Sequence, residues 1–516
     1  MSSGTFRDSF IVILDTGRTT IRAGLGLHDL LRTPSVDILA RVGLPRSFFA
    51  PSDANDNGDI AQGDPSITKA VIANAKVTDY LVGVQLDEAL AGNEDVAIFW
   101  PFADGDVSDW EQAEALWKHV FFTRLPLRRS QMESPVLLSL PAGLSRATYE
   151  RVCQMFFERF NVAGFGVVER PLAQFYSAVT ASGQLSGVVV DIDREWTDIT
   201  PISDGLIVQG ARMQVRVGMN DCRRHLTRVL RGNQNVMGAV QEILQEEGKD
   251  PSEEAQLSVL EGLADQLWAE GQIKVLHEGE GGTLEDDLDG SNSGELNIAA
   301  IVVAGKEKAV IESGMKKKAA REKASAAEQA RAREIEAKDL IEVKWRGKTV
   351  TVGKERHRYC EPLWDAGLRE RKGKERQTAN RRDVPELPLH IAVGEAVART
   401  EVDQRAYIWQ GLFVTGDITD HVKGLGAALQ SRLSSFLLVS LDPSGNEVQP
   451  RSIHTLKIPD YFAEYREKGD GLASFLGSSI VAKISFGDSA GKNFVSKADY
   501  INMGPRAVLG MSPSLL

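Results

Sequence analysis

The sequence predicts an α/β protein built from two related lobes that face a cleft. At two places a short apolar run ends on an aspartate and a turn and is followed by a second strand-like run. These are FIVILDTG (Phe10 to Gly17) before TTIRAGLG, and GVVVDID (Gly187 to Asp193) before TDITPIS. Runs of this length bounded by turn residues read as buried strands, and their recurrence as a weak internal duplication. Stretches of helical apolar spacing lie between them. The length, 516 residues, exceeds what one core normally organises, which again points to two lobes or more.

The elements follow in order. Residues Pro51 to Asp64 (PSDANDNGDIAQGD) are rich in Asp, Asn and Gly and read as a loop. Trp110 to Phe122 has helical spacing, with a cap expected at Ser108 or Asp109. PVLLSLP (Pro135 to Pro141) is a buried strand, and Tyr149 to Phe160 and Pro171 to Ser182 are helices. The region His277 to Glu342 differs in composition. It opens acidic and Gly-rich, then runs on as Ala, Lys, Arg and Glu, which suits a solvated helix with i,i+4 charge pairs. With little apolar surface to bury, it is expected to project or stay partly disordered. Strand patterning returns over Val343 to Gly353.

A hydrophobic fraction of 42% and a charged fraction of 26% allow a core of useful size. The formal net charge of -12 argues against a surface that grips nucleic acid over its whole extent. The run Lys316, Lys317 and Lys318 is better read as a solvated helical face balanced by Glu312, Glu322 and Glu328 than as a phosphate contact or localisation signal. Three cysteines without CxxC spacing read as reduced, packed thiols, and the histidines do not cluster with them, so no metal site is expected. Asp53 to Asp64 fits much of a calcium loop, but Pro51 precedes it, no helix enters it and its last position lacks the preferred glutamate; an Asx-rich surface loop is the better reading. The opening residues lack a basic flank with an apolar run, and no apolar stretch approaches the ~20 residues of a membrane helix, so a soluble intracellular protein is expected.

Four blocks, in order and spanning most of the chain, resemble the actin family. They are DTGRTTIRAGLG with LARVGLPR; FWPFADGDVSDWEQAEALWKHVFF with PVLLSLPAGLSRATYERVCQMFFERFN; VTVGKERHRYCEPLW, where Glu355, Arg356 and Arg358 follow the family pattern; and FLGSSIVAKISF with FVSKADYINMGPRAV. The resemblance implies an actin-like, ribonuclease-H-like duplicated fold: two lobes around a nucleotide cleft. Residues 1–182, completed by 475–516, would form the first lobe, 183–474 the second, with 277–342 inserted in the second. In that family two hairpin loops hold ATP phosphates through backbone N–H groups, two aspartates place the metal, and a glutamine orients the attacking water.

Residue by residue, the catalytic parts are missing. Asp15 and Gly17 match the first loop, but Arg18 and Thr19 stand where a small polar residue and a glycine are expected, and Arg22 replaces a phosphate-contacting lysine. In the second loop the family's Asp-Ser-Gly-Asp-Gly is Asp191, Ile192, Asp193, Arg194 and Glu195. Both glycines are lost, and two carboxylates fall where phosphate oxygens belong, repelling them by ~1–4 kcal/mol each. The water-orienting glutamine is Arg170, which has no lone pair for a water proton; a cleft arginine paired with Asp191 or Asp193 is expected instead. Gly416 and Asp417 stand for a Gly pair near the nucleotide, Glu270 is a candidate on the adenine side, and Gly471 falls on a lysine position. Without the family, Asp15 and Asp191 would read as turn residues ending strands. The expectation is therefore no catalytic residue, no working cofactor and negligible hydrolysis; a weakly held or purely structural ATP stays open because Arg18, Arg22 and Arg194 keep positive charge in the cleft.

The resemblance also implies a groove that takes an amphipathic helix, at Tyr176, Val481 and Ile484; the plain alternative is that these are core residues. FVTGDITDHVKGLGAALQSRL, IPDYFAEY and FLGSSIVAKISFGD look most like the fungal actin-related protein 9 class of SWI/SNF and RSC chromatin-remodelling complexes. That implies a nuclear, non-catalytic subunit that pairs with a second actin-related protein, binds the helical HSA segment of the remodelling ATPase, and meets chromatin indirectly and no membrane. The runner-up is a cytoskeletal actin-related protein with weak nucleotide binding. A kinase- or chaperone-like ATPase of the same superfold would need phosphate loops that are absent here.

Overall fold

The computed structural model describes residues 6–27, 32–49, 74–125, 127–179, 185–248, 250–275, 339–369, 386–437, 452–487 and 493–512. The loop expected at Pro51 to Asp64, the Lys316 to Lys318 run and residues 276–338 of the insertion lie outside them. The chain divides into two compact units, Met1–Asp221 with Leu363–Leu516, and Cys222–Pro362.

The first unit contains two principal sheets. The six-stranded one runs, edge to edge, Val495–Ser496, Gly164–Glu169, Pro135–Leu140, Val12–Thr16, Thr20–Leu25 and Val36–Leu39. The second runs Leu206–Ile207, Thr197–Ser203, Gly187–Ile192 and Leu412–Thr415, with Met213–Val215 also paired to Thr197–Ser203. The strands Val12–Thr16 and Gly187–Ile192 are buried throughout, which is why both read as continuous apolar runs with no alternation. Each forms an antiparallel hairpin with the strand that follows it and a parallel pair on its other side. The duplication seen in the sequence is thus a duplication of sheet topology. A further small sheet joins Leu81–Val82, Val42–Pro45 and Val96–Phe99.

The helix expected at Trp110 to Phe122 runs from Trp110 to His119, and its cap is Asp109, whose carboxylate accepts from the Gln112 N–H at 2.9 Å. It ends in a wider turn over Val120–Arg124. The helix expected from Tyr149 begins a turn earlier, at Arg146, because Ser145 accepts from the Thr148 N–H at 3.0 Å and caps it there. Trp117, Phe121, Phe156, Phe160 and Phe165 form the aromatic centre of one core, with ring centroids 4.6–5.8 Å apart.

The helix expected from Pro171 to Ser182 starts one residue sooner and ends at Ala178. Pro171 sits in its first turn, where its missing N–H costs nothing. It packs against the helix Ala473–Gly487, and the two share a second core with Phe175, Phe413, Tyr465 and Phe486. A side chain on Gly477 would collide with the Ala173 carbonyl, so the crossing depends on a glycine there.

In the second unit, helices Gln234–Glu246 and Glu253–Ala269 pack together, and the strands Ile341–Trp345 and Lys348–Val352 form a hairpin. Its turn residues Arg346 and Gly347 both have positive φ, as a tight two-residue hairpin requires. Strand structure thus resumes at Ile341, two residues before the expected Val343 and inside the 277–342 insertion as drawn from composition. His357 Nδ1 accepts from the Lys274 N–H at 3.1 Å, so Nε2 carries the proton and donates to Asp339 at 2.7 Å. Arg356 also donates to the Asp339 carboxylate at 2.7 Å, while Glu355 accepts from Asn233 and Arg358 pairs with Glu361. Arg356, which also donates to the Gln272 carbonyl at 2.9 Å, and His357 therefore hold the two chain ends that flank residues 276–338.

The helix crossing gives the first prediction. Gly477→Ala is expected to destabilise the protein by about 1–3 kcal/mol through overpacking. Urea unfolding should show a lower midpoint with an unchanged slope.

Candidate functional site

The two duplicated strands place equivalent carboxylates. Asp15 is the penultimate residue of its strand, opposite Arg22 across the hairpin and beside Ser139 on the parallel side. Asp191 is also penultimate, opposite Asp198 and beside Thr415. Between them lies Arg170, the first residue of the Arg170–Ala178 helix. Its Nε donates to Asp191 at 3.0 Å, and its Nη1 donates to both Asp15 oxygens at 3.3 and 3.4 Å. Ser474 Oγ donates to Asp15 at 2.7 Å and Gln174 Nε2 to Asp191 at 2.7 Å. Burial alone would lower the Arg170 pKa, but Asp15 and Asp191 outweigh it and raise it, so the guanidinium stays charged. Gly17 makes room, since a Cβ there would fall 2.5 Å from Arg170 Nη1.

The other arginines are similarly engaged. Arg18 donates to Asp198 through Nε and Nη2, at 3.0 and 2.8 Å, and to the Ala103 carbonyl at 3.2 Å. Arg22 donates to Asp417 at 2.6 Å, to Asp37 at 3.2 Å and to the Gly471 carbonyl at 2.8 Å. Burial would depress its pKa, but Asp417, Asp37 and Asp15 more than offset this. Asp417 shows the reciprocal effect: burial pushes it up, and Arg22 holds it below the usual carboxylate range. Thr19 Oγ1 donates to Asp193 at 2.6 Å, which ties the first hairpin turn to the second. Burial, then the Asp417 and Asp191 charges, push the Asp193 carboxyl up to about 6.

Gly416 has φ +110°, and a side chain there would strike the Ile192 backbone, so glycine is needed for this close approach. Beyond it, Asp420 accepts from the Gly471 N–H at 2.9 Å and fills the space over that glycine. Burial, then the neighbouring Asp417 charge, push the Asp420 carboxyl up to about 7. Glu270 lies in the other compact unit, at the end of the helix Glu253–Ala269, where it accepts from Gln266.

These residues do not fit a metal-bound triphosphate as arranged here. A guanidinium occupies the space between Asp15 and Asp191, and the cavity bordered by Arg18, Arg170, Arg212, Asp191, Asp193 and Asp198 measures about 20 Å³. That is room for a water, whereas small-molecule pockets run to roughly 300–1,000 Å³. Of the arginines expected to leave positive charge for an anion, Arg18 is instead paired with Asp198, and Arg22 with Asp417 and Asp37; the buried Nε of Arg194 has no hydrogen-bond partner among the described residues. Among the described residues no cluster of His, Cys, Asp and Glu is suited to a metal ion, and no helix is long and apolar enough to cross a membrane.

Of the three groove residues, Val481 is buried at 6% exposure and Tyr176 packs at the edge of the same core. Ile484, three residues on along its helix, is 65% exposed. Tyr176 donates its hydroxyl to the Gly205 carbonyl at 3.2 Å. Leu206, at 58%, follows that glycine, and Leu185 lies against the same turn, partly exposed. Leu185 and Leu206 escape sequence reasoning because their exposure is decided by the turn around Gly205. Asp198, by contrast, is legible from hairpin register, whereas Ser474, Gln174 and Asp420 carry no local signal.

This pairing of duplicated hairpin-bearing sheets with two aspartates at equivalent strand ends defines an actin-type fold. The actin family profile matches residues 7–278, and the chain belongs to that family. A Schizosaccharomyces pombe protein named "SWI/SNF and RSC complexes subunit arp9" is 26% identical to it, over 98% of this chain and 99% of that one. A Neurospora crassa protein named "Actin-like protein" is 27% identical over 43% of this chain and half of its own length.

Asp420 yields a pH prediction. Its folded pKa, about 7, lies above the ordinary 3.8, so the folded protein holds a proton that the unfolded chain releases. Its contribution to stability is full below pH ~4 and is lost as pH rises towards ~7. Asp420→Asn, which keeps an acceptor for Gly471, is expected to stabilise the protein at pH 8 by about 1–4 kcal/mol. The gain should shrink at pH 5 in denaturant titrations.

Proposed function

We propose that this protein is a non-catalytic actin-related subunit of a chromatin-remodelling complex of the SWI/SNF and RSC kind, and acts in the nucleus. The observation that carries this reading is the end-to-end similarity to a protein named as a subunit of those complexes. The arrangement at Arg170 supports the non-catalytic part. A guanidinium cannot accept a proton from water, and both aspartates are already bonded to it. The protein works through its contacts, and ATP has no role in turnover.

In this proposal the chain pairs with a second actin-related protein and takes the helical HSA segment of the remodelling ATPase. The groove is bounded by Tyr176, Val481 and Ile484, with Leu206 beside it. An amphipathic helix needs apolar anchors of this kind, and the exposure of Ile484 and Leu206 makes them available. We further propose one lobe over residues 1–182 with 475–516 and the other over 183–474, each built on one of the two principal sheets.

Co-purification with an HSA-segment fragment and the second actin-related protein tests the reading. Ile484→Asp, at an exposed position, should weaken capture of the fragment roughly tenfold or more without lowering stability. Calorimetry with magnesium and ATP should show no heat. Steady phosphate release would overturn the non-catalytic reading, whereas micromolar binding without it would make the nucleotide a structural or regulatory ligand.

A further inference from the structure

Arg170 stands where four elements meet. It bonds to Asp15 of the first hairpin and to Asp191 of the second, and it begins the helix Arg170–Ala178. The fourth element enters through Ser474, in the first turn of the helix Ala473–Gly487, which donates to the same Asp15. Ser474 also meets Ser139 at 3.2 Å, and Gln174, one turn along from Arg170, donates to Asp191. Each carboxylate is therefore held from two directions, by the guanidinium and by a residue of one helix. The two helices touch without a side chain between them, at Gly477 and Ala173. Tyr176 lies on the first helix, and Val481 and Ile484 lie two to three turns beyond Ser474 on the second.

We infer that Arg170 is a built-in latch: one buried guanidinium joins the two hairpins and sets the helices Arg170–Ala178 and Ala473–Gly487 in the crossing that pre-forms the helix-binding groove. Without it, Asp15 and Asp191 become buried carboxylates with no cation between them, and the strand ends that carry them lose their shared partner. The start of each helix then loses its anchor, Gln174 and Ser474 being left on carboxylates that repel one another. A groove whose walls are fixed beforehand binds without the cost of ordering them. Arg170 is thus a positioning residue that acts through the helices. The groove half of this inference rests on the helix-binding reading above; the latch half does not.

Hydrogen exchange on the full chain tests both halves. In Arg170→Gln, amides around Gly17 and Asp193 and in the first turns of both helices should exchange roughly tenfold faster or more. Arg170→Lys, which keeps the charge without the fork, should fall between. Magnesium with ATP should leave exchange in the wild type unchanged. An amphipathic helical peptide that binds the wild type should bind Arg170→Gln at least about tenfold more weakly, with or without magnesium and ATP. If Arg170→Gln does not fold, Ser474→Ala, which removes one donor to Asp15, should speed exchange at the first hairpin and in the Ala473–Gly487 helix alone. Unchanged exchange in the variants that fold, or protection of the wild-type hairpins by magnesium and ATP, would overturn the latch. If the wild type binds no such peptide, the groove reading fails while the exchange comparison still decides the latch.

Discussion

The first unit is organised around a single requirement: Asp15 and Asp191 cannot both be buried as carboxylates without a cation between them. In this chain the cation is covalently part of the protein. Arg170 meets both, and several otherwise unrelated features follow from making space for it. Gly17 has no side chain because the guanidinium occupies that volume. Ser474 and Gln174 turn towards the carboxylates because lone pairs remain to be satisfied after Arg170 has bonded. A mobile ion would leave the site free to empty and refill; a guanidinium anchored to a helix does not.

The same reasoning extends over the rest of the cleft. Arg18 lies on Asp198, Arg22 on Asp417, Asp37 and the Gly471 carbonyl, and Thr19 on Asp193. Apart from Asp37, which sits 15 residues away on the neighbouring strand, each link joins the turn or strand of one hairpin to a segment distant in sequence. Buried ion pairs contribute little net stability compared with apolar packing, but losing one partner is costly. Their effect is therefore to specify an arrangement. The carboxyls of Asp193 and Asp420 are raised first by burial and then by the neighbouring carboxylate charges.

The helices that leave this cluster connect chemistry to surface. Arg170–Ala178 and Ala473–Gly487 begin at the buried charges and carry Tyr176 and Ile484 outward. Their close approach at Gly477 depends on backbone contact, which fixes the crossing more tightly than long side chains would.

The sequence by itself determined the fold class and the two strand-ending aspartates, and it placed an arginine, Arg170, directly before Pro171. Those features are local: an apolar run, a turn residue and a motif position are each readable within a few residues. It also pointed to Asp191 or Asp193 as the partner of Arg170; the structure gives Asp191 at 3.0 Å, and adds Asp15 as a second partner that the sequence did not indicate. Strand and helix ends moved by a few residues where capping, as at Ser145, set them. What only the tertiary structure decided is where the charges end. Arg18 and Arg22 read as cations left for an anion, yet each is buried against carboxylates 180 and 395 residues away. Val481 and Ile484, three residues apart in one apolar stretch, were likewise separated only by packing, one into the core and one to the surface. Sequence fixes which groups carry charge or apolar area, but pairing and exposure depend on distances between segments that local pattern does not encode.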